Sequence, residues 1–228
     1  MITIYDIVLV LPAFLFSLYA QYKVKSTFSH YSQQDNSRGL TGAEVARIIL
    51  DDSGLNDVPV EPVDGELSDH YDPASRILRL SESVYGSISV AALGVAAHEA
   101  GHAIQHKTGY SALGLRGALV PIANIGSTLG PWMAIGGFFF HIPALIHLGI
   151  ILFSCAVAFY LITLPVEFNA SKRALSLLYS CNILEKDELE PARKVLNAAA
   201  MTYVASAAVA MAQLLSLILS LTGQRNER

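Results

Sequence analysis

Apolar residues are concentrated in a few long runs along the chain. Each of the three strongest runs is long enough to cross the hydrocarbon core of a membrane as a helix, at about 1.5 Å per residue. These runs are Ile2–Tyr22, Ile142–Leu164 and Ala198–Leu221. A fourth run, 118–140, is weaker because Pro121 and Pro131 interrupt it. The pattern predicts a mainly α-helical membrane protein with about four transmembrane helices.

The composition agrees with this interpretation. Hydrophobic residues make up 53% of the 228 residues and charged residues only 15%, whereas a soluble domain carries about 25% charged residues. The first apolar run has no basic segment before it and no obvious cleavage site of small residues. It is therefore predicted to be an anchor and not a cleaved signal peptide.

The basic residues predict the orientation in the membrane. Lys23 and Lys25 follow the first run directly, and thirteen of the fifteen Lys and Arg residues lie within 23–117 and 165–197. By the positive-inside rule these two stretches are cytosolic. Four spans with both termini outside satisfy this distribution.

Five segments follow from these boundaries. They are an N-terminal transmembrane anchor (1–22), a cytosolic segment (23–117), a transmembrane hairpin (118–164), a second cytosolic segment (165–197) and a last transmembrane helix with its tail (198–228).

Within the first cytosolic segment, Thr41 and Glu44 form a capping box, which predicts a helix through about Asp52. Val58–Val63 and Arg76–Leu80 are predicted to be short strands. Asp69–Pro73, between them, has the composition of a turn.

Small residues in two of the apolar runs predict close helix packing. Ala198, Thr202, Ser206 and Ala210 repeat every four residues on the last run, while Gly126 and Gly130 form a similar face on the second. Such faces let membrane helices approach closely. We expect these two spans to pack together.

The strongest chemical signal is the sequence His98-Glu99-Ala-Gly-His102, inside an Ala-rich run that has helical composition. On a helix, residues i and i+4 lie on one face, so the two imidazoles can bind one Zn²⁺. Such an ion lowers the pKa of a bound water to about 7, and Glu99 can take the proton as general base. The motif predicts zinc-dependent hydrolysis.

A catalytic zinc site needs a third protein ligand. Glu167 is the candidate, because it follows the third apolar run and returns to the side of the membrane where the motif lies. The alternative is an interfacial carboxylate paired with Lys172 or Arg173. His106 continues the i, i+4 series, but it is about 12 Å along the helix axis from His98, too far to share one ion.

Other candidates are weaker. His70 could donate a hydrogen bond to a developing oxyanion, or it could simply cap its turn. Cys155 and Cys181 are too few for a disulfide framework. No basic tract interleaved with aromatic residues indicates nucleic-acid binding.

The chain resembles the bacterial membrane-bound neutral zinc metallopeptidases of the YugP type. The resemblance is carried by four segments and extends over most of the chain: Asp69–Pro73, Leu80-Ser81, Ala97–Gln105 and Leu164–Arg173.

This resemblance implies a minimal zincin-like catalytic unit of the gluzincin type, with His98, His102 and Glu167 as metal ligands and Glu99 as the base. It also implies a small β edge, with Arg76–Leu80 as the strand that would pair with a peptide. Related HtpX-like membrane peptidases often carry an acidic residue four positions after the ligand Glu. Ser171 stands there in this chain, so Asn169 or Ser171 is expected to support a ligand instead.

We therefore expect an integral membrane zinc endopeptidase with one Zn²⁺ per chain. It would hydrolyse peptide bonds near the inner surface of the bacterial plasma membrane, with its active site on the cytosolic side. The expected partners are the lipid bilayer and polypeptide substrates, mostly membrane-associated, with a second copy or a regulatory protein as further candidates. The alternative is a catalytically silent scaffold or regulator with a structural zinc site. Metal transport fits less well, because the two histidines precede the second span instead of lying at its midplane.

Overall fold

The computed structural model describes residues 4–226 and shows a mainly helical chain with one small sheet. A π-helical turn, Asp6–Val10, leads into the first α-helix. The α-helices in the described chain are α1 (Leu11–Tyr31), α2 (Gly42–Asp52), α3 (Glu82–Tyr85), α4 (Val90–Lys107), α5 (Ser111–Phe139), α6 (Pro143–Ser180) and α7 (Lys186–Asn226). The strands are β1 (Val60–Val63), β2 (His70–Asp72) and β3 (Ile77–Ser81).

Four helical stretches are long and apolar enough to cross a membrane: Asp6–Tyr31, Ser111–Phe139, Pro143–Ser180 and Lys186–Leu221. The prediction of about four transmembrane helices is confirmed at this level. Residues 118–139 of the weaker second run belong to one continuous helix, α5, although Pro121 and Pro131 are inside it.

The contacts divide the chain into two compact units. The first, here called the apolar unit, contains the described residues up to Gln21, Gly114–Pro165 and the described residues from Thr202 onward. The second, here called the motif unit, contains Tyr22–Leu113 and Val166–Met201.

In the apolar unit, α5 and α6 approach closely through glycines. A Cβ atom added at Gly126 would overlap the carbonyl oxygen of Leu152, and one at Gly130 would lie 2.9 Å from that of Gly149. These glycines thus face α6, which follows α5 after a short connection. On the predicted small face of the last span, Ala210 is buried and Ser206 is exposed, and Leu214 of α7 packs against the cluster that contains Ala123 of α5.

In the motif unit, α2 begins as predicted. Thr41 Oγ1 accepts a hydrogen bond from the Glu44 N–H at 3.3 Å, and Glu44 Oε2 accepts one from the Thr41 N–H at 2.8 Å. The helix ends at Asp52, where the sequence placed its end. Its apolar side is buried in one core together with β3 and α4: Val45, Ile49, Leu50, Leu78, Leu80 and Leu93 are all completely buried.

The sheet has the order β1-β3-β2, with β1 parallel and β2 antiparallel to β3. Two expectations were wrong. Residues 70–72, within the predicted turn, form strand β2. The turn itself covers residues 73–76, where the Asp72 carboxylate accepts hydrogen bonds from the Ala74 N–H and the Ser75 hydroxyl. Strand β3, which overlaps the Arg76–Leu80 prediction, is central and not an edge, since β1 and β2 pair with its two sides.

Candidate metal centre

The two histidines of the motif lie on α4, whose start is well defined. Ser89 is the N-cap, and its hydroxyl oxygen accepts a hydrogen bond from the Ala92 N–H at 3.2 Å. The helix then continues to Lys107, with Ala96, Ala97, Ala100 and other small residues completely buried. Such small side chains let neighbouring elements pack close to the helix backbone on both sides of His98 and His102.

Three donor atoms converge beside α4, and all belong to the motif unit. The Nε2 atoms of His98 and His102 are 3.1 Å apart. Glu167 Oε2, on α6, is 3.2 Å from the first and 3.6 Å from the second. The side chains are 12%, 11% and 2% exposed, respectively. The structure therefore brings the three predicted metal ligands into one buried cluster.

These separations fit a small tetrahedral ion. Donors about 2.0–2.1 Å from a zinc ion lie about 3.3 Å from one another in a tetrahedron. The three observed separations, 3.1, 3.2 and 3.6 Å, lie on both sides of that value. Two imidazoles and a carboxylate form a donor set that zinc accepts.

The protonation of His102 follows from its hydrogen bonds. The Gln105 amide nitrogen donates to the Val166 carbonyl oxygen at 2.8 Å, which fixes the orientation of the amide. The Gln105 oxygen therefore faces His102 Nδ1, 3.0 Å away. Because that oxygen can only accept, Nδ1 must carry the proton, and Nε2 presents its lone pair to the cluster.

His98 is held by a different residue. Its Nδ1 lies 3.1 Å from the hydroxyl oxygen of Ser171, which can accept the ring proton. Of the two expected supports, Ser171 therefore contacts a histidine directly. Asn169 acts one step further away, because its side-chain oxygen accepts hydrogen bonds from Gln105 Nε2 at 3.0 Å and from Arg173 Nε at 2.8 Å.

Glu99 lies on α4 between the two histidines and is 8% exposed. Its Oε2 accepts a hydrogen bond from the Tyr71 N–H of β2 at 3.1 Å. Tyr71 pairs with Leu78 of β3, whose own N–H bonds to Pro59 on the opposite side. The Tyr71 N–H thus points away from the sheet, and the outward edge of β2 faces Glu99.

The electrostatics of the cluster favour a positive charge. Burial lowers the pKa of His102, but its hydrogen bond to Glu167 and the charges of Glu99 and Glu167 raise it, and the net shift is upward. A cation held by the same nitrogen would gain from the same two carboxylates.

A further carboxylate supports the sheet near Glu99. Asp69 accepts hydrogen bonds from the Ser81 N–H at 2.7 Å and from the Ser81 hydroxyl at 3.0 Å. Burial raises the pKa of Asp69, the two bonds from Ser81 oppose that rise, and the charge of Glu99 adds to it; the net shift is upward. This contact links the residue before β2 to the end of β3, so it holds the strand whose N–H binds Glu99.

The remaining histidines of interest lie outside the donor cluster. His70 is exposed at the start of β2, with Nδ1 2.7 Å from the Ser68 carbonyl oxygen. His106 is exposed and its Nδ1 lies 2.9 Å from the Tyr71 hydroxyl. His106 is thus a surface residue near the site, as predicted, while the oxyanion role of His70 stays a prediction.

Sequence reasoning missed Gln105 and the backbone of Tyr71. Gln105 lies three residues after His102 and so on the same helix face, and that spacing is the signal that could have identified it. No local signal identifies the Tyr71 N–H, because its direction depends on how β2 pairs with β3.

The donor cluster with its adjoining carboxylate could hold a metal ion, and the four apolar helices could cross a membrane; these are the features of a membrane metallopeptidase family. The chain belongs to the family described as "Putative neutral zinc metallopeptidase", whose model matches residues 6–222. It is similar to a protein of Bacillus subtilis (strain 168) named "Putative membrane protease YugP", with 51% identity over 221 residues, which cover 97% of this chain and 98% of the relative. No solved structure matches the chain.

Proposed function

We propose that this protein is an integral membrane zinc endopeptidase. The observation that carries the proposal is the convergence of His98, His102 and Glu167, with donor separations of 3.1–3.6 Å, beside the carboxylate of Glu99. Family membership and the name of the Bacillus relative support the same activity.

In this proposal the two Nε2 atoms and the Glu167 carboxylate hold one Zn²⁺. When bound, zinc supplies Lewis-acid polarisation of a carbonyl and lowers the pKa of a water to about 7. Gln105 keeps Nδ1 of His102 protonated, the Ser171 hydroxyl can accept the Nδ1 proton of His98, and both contacts keep the rings in place.

Glu99 is the proposed general base. It takes a proton from the water that attacks the scissile carbonyl and later gives it to the leaving amine. The Tyr71 N–H keeps the carboxylate in place and leaves its other oxygen, Oε1, for this transfer. His70 remains a candidate donor to the oxyanion.

The substrate is proposed to lie beside β2. This strand, and not β3, is the edge next to α4, and its outward side at Tyr71 already faces Glu99. An extended peptide that runs along a sheet edge presents its carbonyls at regular spacing. Because β2 has only three residues, only a short extended segment of the substrate can lie along it.

The proposed location is the cytosolic side of the plasma membrane, near its surface. Glu167 follows the apolar run that ends at Leu164 by three residues, and the basic residues cluster in the segments that carry the site. Membrane-associated polypeptides are therefore the proposed substrates.

Glu99→Gln tests the mechanism. The amide can still accept the Tyr71 N–H bond but cannot take a proton, so we expect about one zinc per chain and a loss of casein cleavage of at least about 100-fold. Metal content by elemental analysis and cleavage by purified full-length protein are the two measurements. Glu82→Gln, an exposed carboxylate on α3, is the matched control and should leave both unchanged.

His102→Ala and Glu167→Ala should each lose both metal and cleavage. Undiminished cleavage by Glu99→Gln, with contaminating protease excluded by the inactive His102→Ala preparation, would contradict the mechanism. Zinc retention without any cleavage by the wild type would instead support the silent-scaffold alternative.

A further inference from the structure

A second polar site lies in the motif unit, between the C-terminal part of α1 and the N-terminal part of α7. It is a half-open pocket of about 440 Å³, a volume within the range of small-ligand sites. The polar residues that line it come from two helices that are far apart in the sequence. They include Lys23, Thr27, His30 and Tyr31 of α1 and Lys194 and Asn197 of α7.

The lining of this pocket is basic. Within the described chain, its lining includes two ammonium groups and one imidazole but no carboxylate. Among the described residues, no ion pair involves Lys23 or Lys194, and the nearby Glu190 pairs with Arg193 at 3.8 Å instead. The pocket lining therefore carries two ammonium groups with no carboxylate in the same lining.

The remaining polar groups can donate hydrogen bonds. The hydroxyls of Thr27 and Tyr31 and the amide of Asn197 line the same space, and Lys194 Nζ lies over the Tyr31 ring, 5.9 Å from its centre. A pocket lined by several hydrogen-bond donors and two ammonium groups, with no carboxylate, is suited to bind an oxyanion. A phosphate group is such an anion, because it has several acceptor oxygens.

We propose that this pocket binds a phosphate-bearing anion, and that the headgroup of an anionic phospholipid is its source. Lys23 directly follows the first apolar run, and Ala198, also in the lining, begins the last one. Both ends of the pocket thus lie where a predicted span begins or ends. Lysines at such positions attract anionic lipids on the cytoplasmic leaflet.

The test uses the full-length protein in a neutral detergent, titrated by calorimetry with three probes. These are dioctanoyl phosphatidylglycerol, dioctanoyl phosphatidylcholine and inorganic phosphate. Lys23→Gln/Lys194→Gln removes both lining charges, and we expect it to weaken phosphatidylglycerol binding more than tenfold, at roughly fivefold per lysine. Phosphatidylcholine should bind far more weakly to the wild type.

Lys25→Gln/Lys186→Gln is the matched control, since it removes the same charge from α1 and α7 outside the pocket lining. It should bind phosphatidylglycerol like the wild type. Helix content by circular dichroism and zinc content should be unchanged in both double variants, which separates this test from the proposed peptidase activity.

Each outcome decides the question. Tighter binding of phosphatidylglycerol than of phosphate, lost only in the pocket variant, supports the lipid site. Phosphate binding as tight as that of the lipid, with the same dependence on the two lysines, overturns the lipid as the source and leaves a phosphate site. Equal effects of the two double variants, or no effect of either, would overturn the pocket as a binding site.

Discussion

The side chain of Gln105 fixes both the protonation and the position of His102. The Gln105 oxygen accepts the proton of Nδ1, and the Gln105 nitrogen binds the Val166 carbonyl oxygen of α6. Gln105 is completely buried, so water cannot replace these bonds. One side chain thus sets the tautomer of a ligand on α4 and ties it to the helix that carries Glu167.

Gln105→Met should weaken zinc binding by about 10–100-fold, because methionine fills a similar volume but neither orients His102 nor binds α6. Competition with a chelator of known zinc affinity measures the change. Gln33→Met, at an exposed position, is the control and should bind zinc like the wild type. Ser171→Ala removes the corresponding partner of His98 and should also weaken binding. Unchanged affinity in Gln105→Met would show that the amide does not position the ligand.

The residues of the site differ in how well the sequence alone predicts their roles. His98, Glu99 and His102 follow from spacing on one helix, and the structure has them there. Glu167 was a candidate from its position after the third apolar run, with an interfacial ion pair as the alternative, and the family resemblance favoured it as a ligand. Gln105 and Ser171 could not be assigned to partners, because their contacts exist only once α4 and α6 meet, across more than 60 residues of sequence.

At the scale of elements, the site depends on how closely α4 and α6 approach. A Cβ added at Gly101 would lie 3.0 Å from the Ala170 carbonyl oxygen and 3.4 Å from its Cα. That is a tight contact with backbone, which cannot rotate away. Gly101 lies one residue before His102, and Ala170 three after Glu167. Any shift that relieves the contact therefore moves the ligands of one helix relative to the other.

We expect Gly101→Ala to lower zinc affinity at least about tenfold and to lower cleavage further, since small displacements of reacting groups are costly. Gly94→Ala is the matched control on the same helix, because its Cβ would meet Ala192 at an ordinary 3.5 Å. Both changes raise helix propensity by about 1 kcal/mol. Zinc competition and casein cleavage measure the two variants, and equal zinc affinity in both would contradict the role of the close approach.

The elements also show where local sequence information ends. The capping box of α2 is a local feature, and it was predicted correctly. Strand β2 was mistaken for a turn because its pairing with β3 is invisible to composition, and the order of the strands, which makes β3 central, depends on tertiary contacts. The two prolines made the second apolar run the weakest predicted span, yet the run is helical in α5. Apolar helices in membranes tolerate proline.

At the scale of the whole molecule, the positions of the basic residues and of the apolar helices make a joint prediction. If the four helices with the length and composition of spans all cross the membrane, 23–117 and 165–197 lie on the same side of it. The Lys and Arg count predicts that this side is cytosolic. The connection between α5 and α6, which has no basic residue, then lies outside.

Cysteine labelling in intact cells tests this topology. In a background where Cys155 and Cys181 are replaced by Ala and Ser, Phe140→Cys, at a 75% exposed residue just after α5, should react with a membrane-impermeant maleimide. Glu66→Cys, in the exposed segment between β1 and β2, should react only after permeabilisation, because its segment is predicted to be cytosolic. The cysteine-free parent is the control. Labelling of Glu66→Cys from outside would place the metal ligands in contact with the exterior, and the proposed substrates would then have to be sought there.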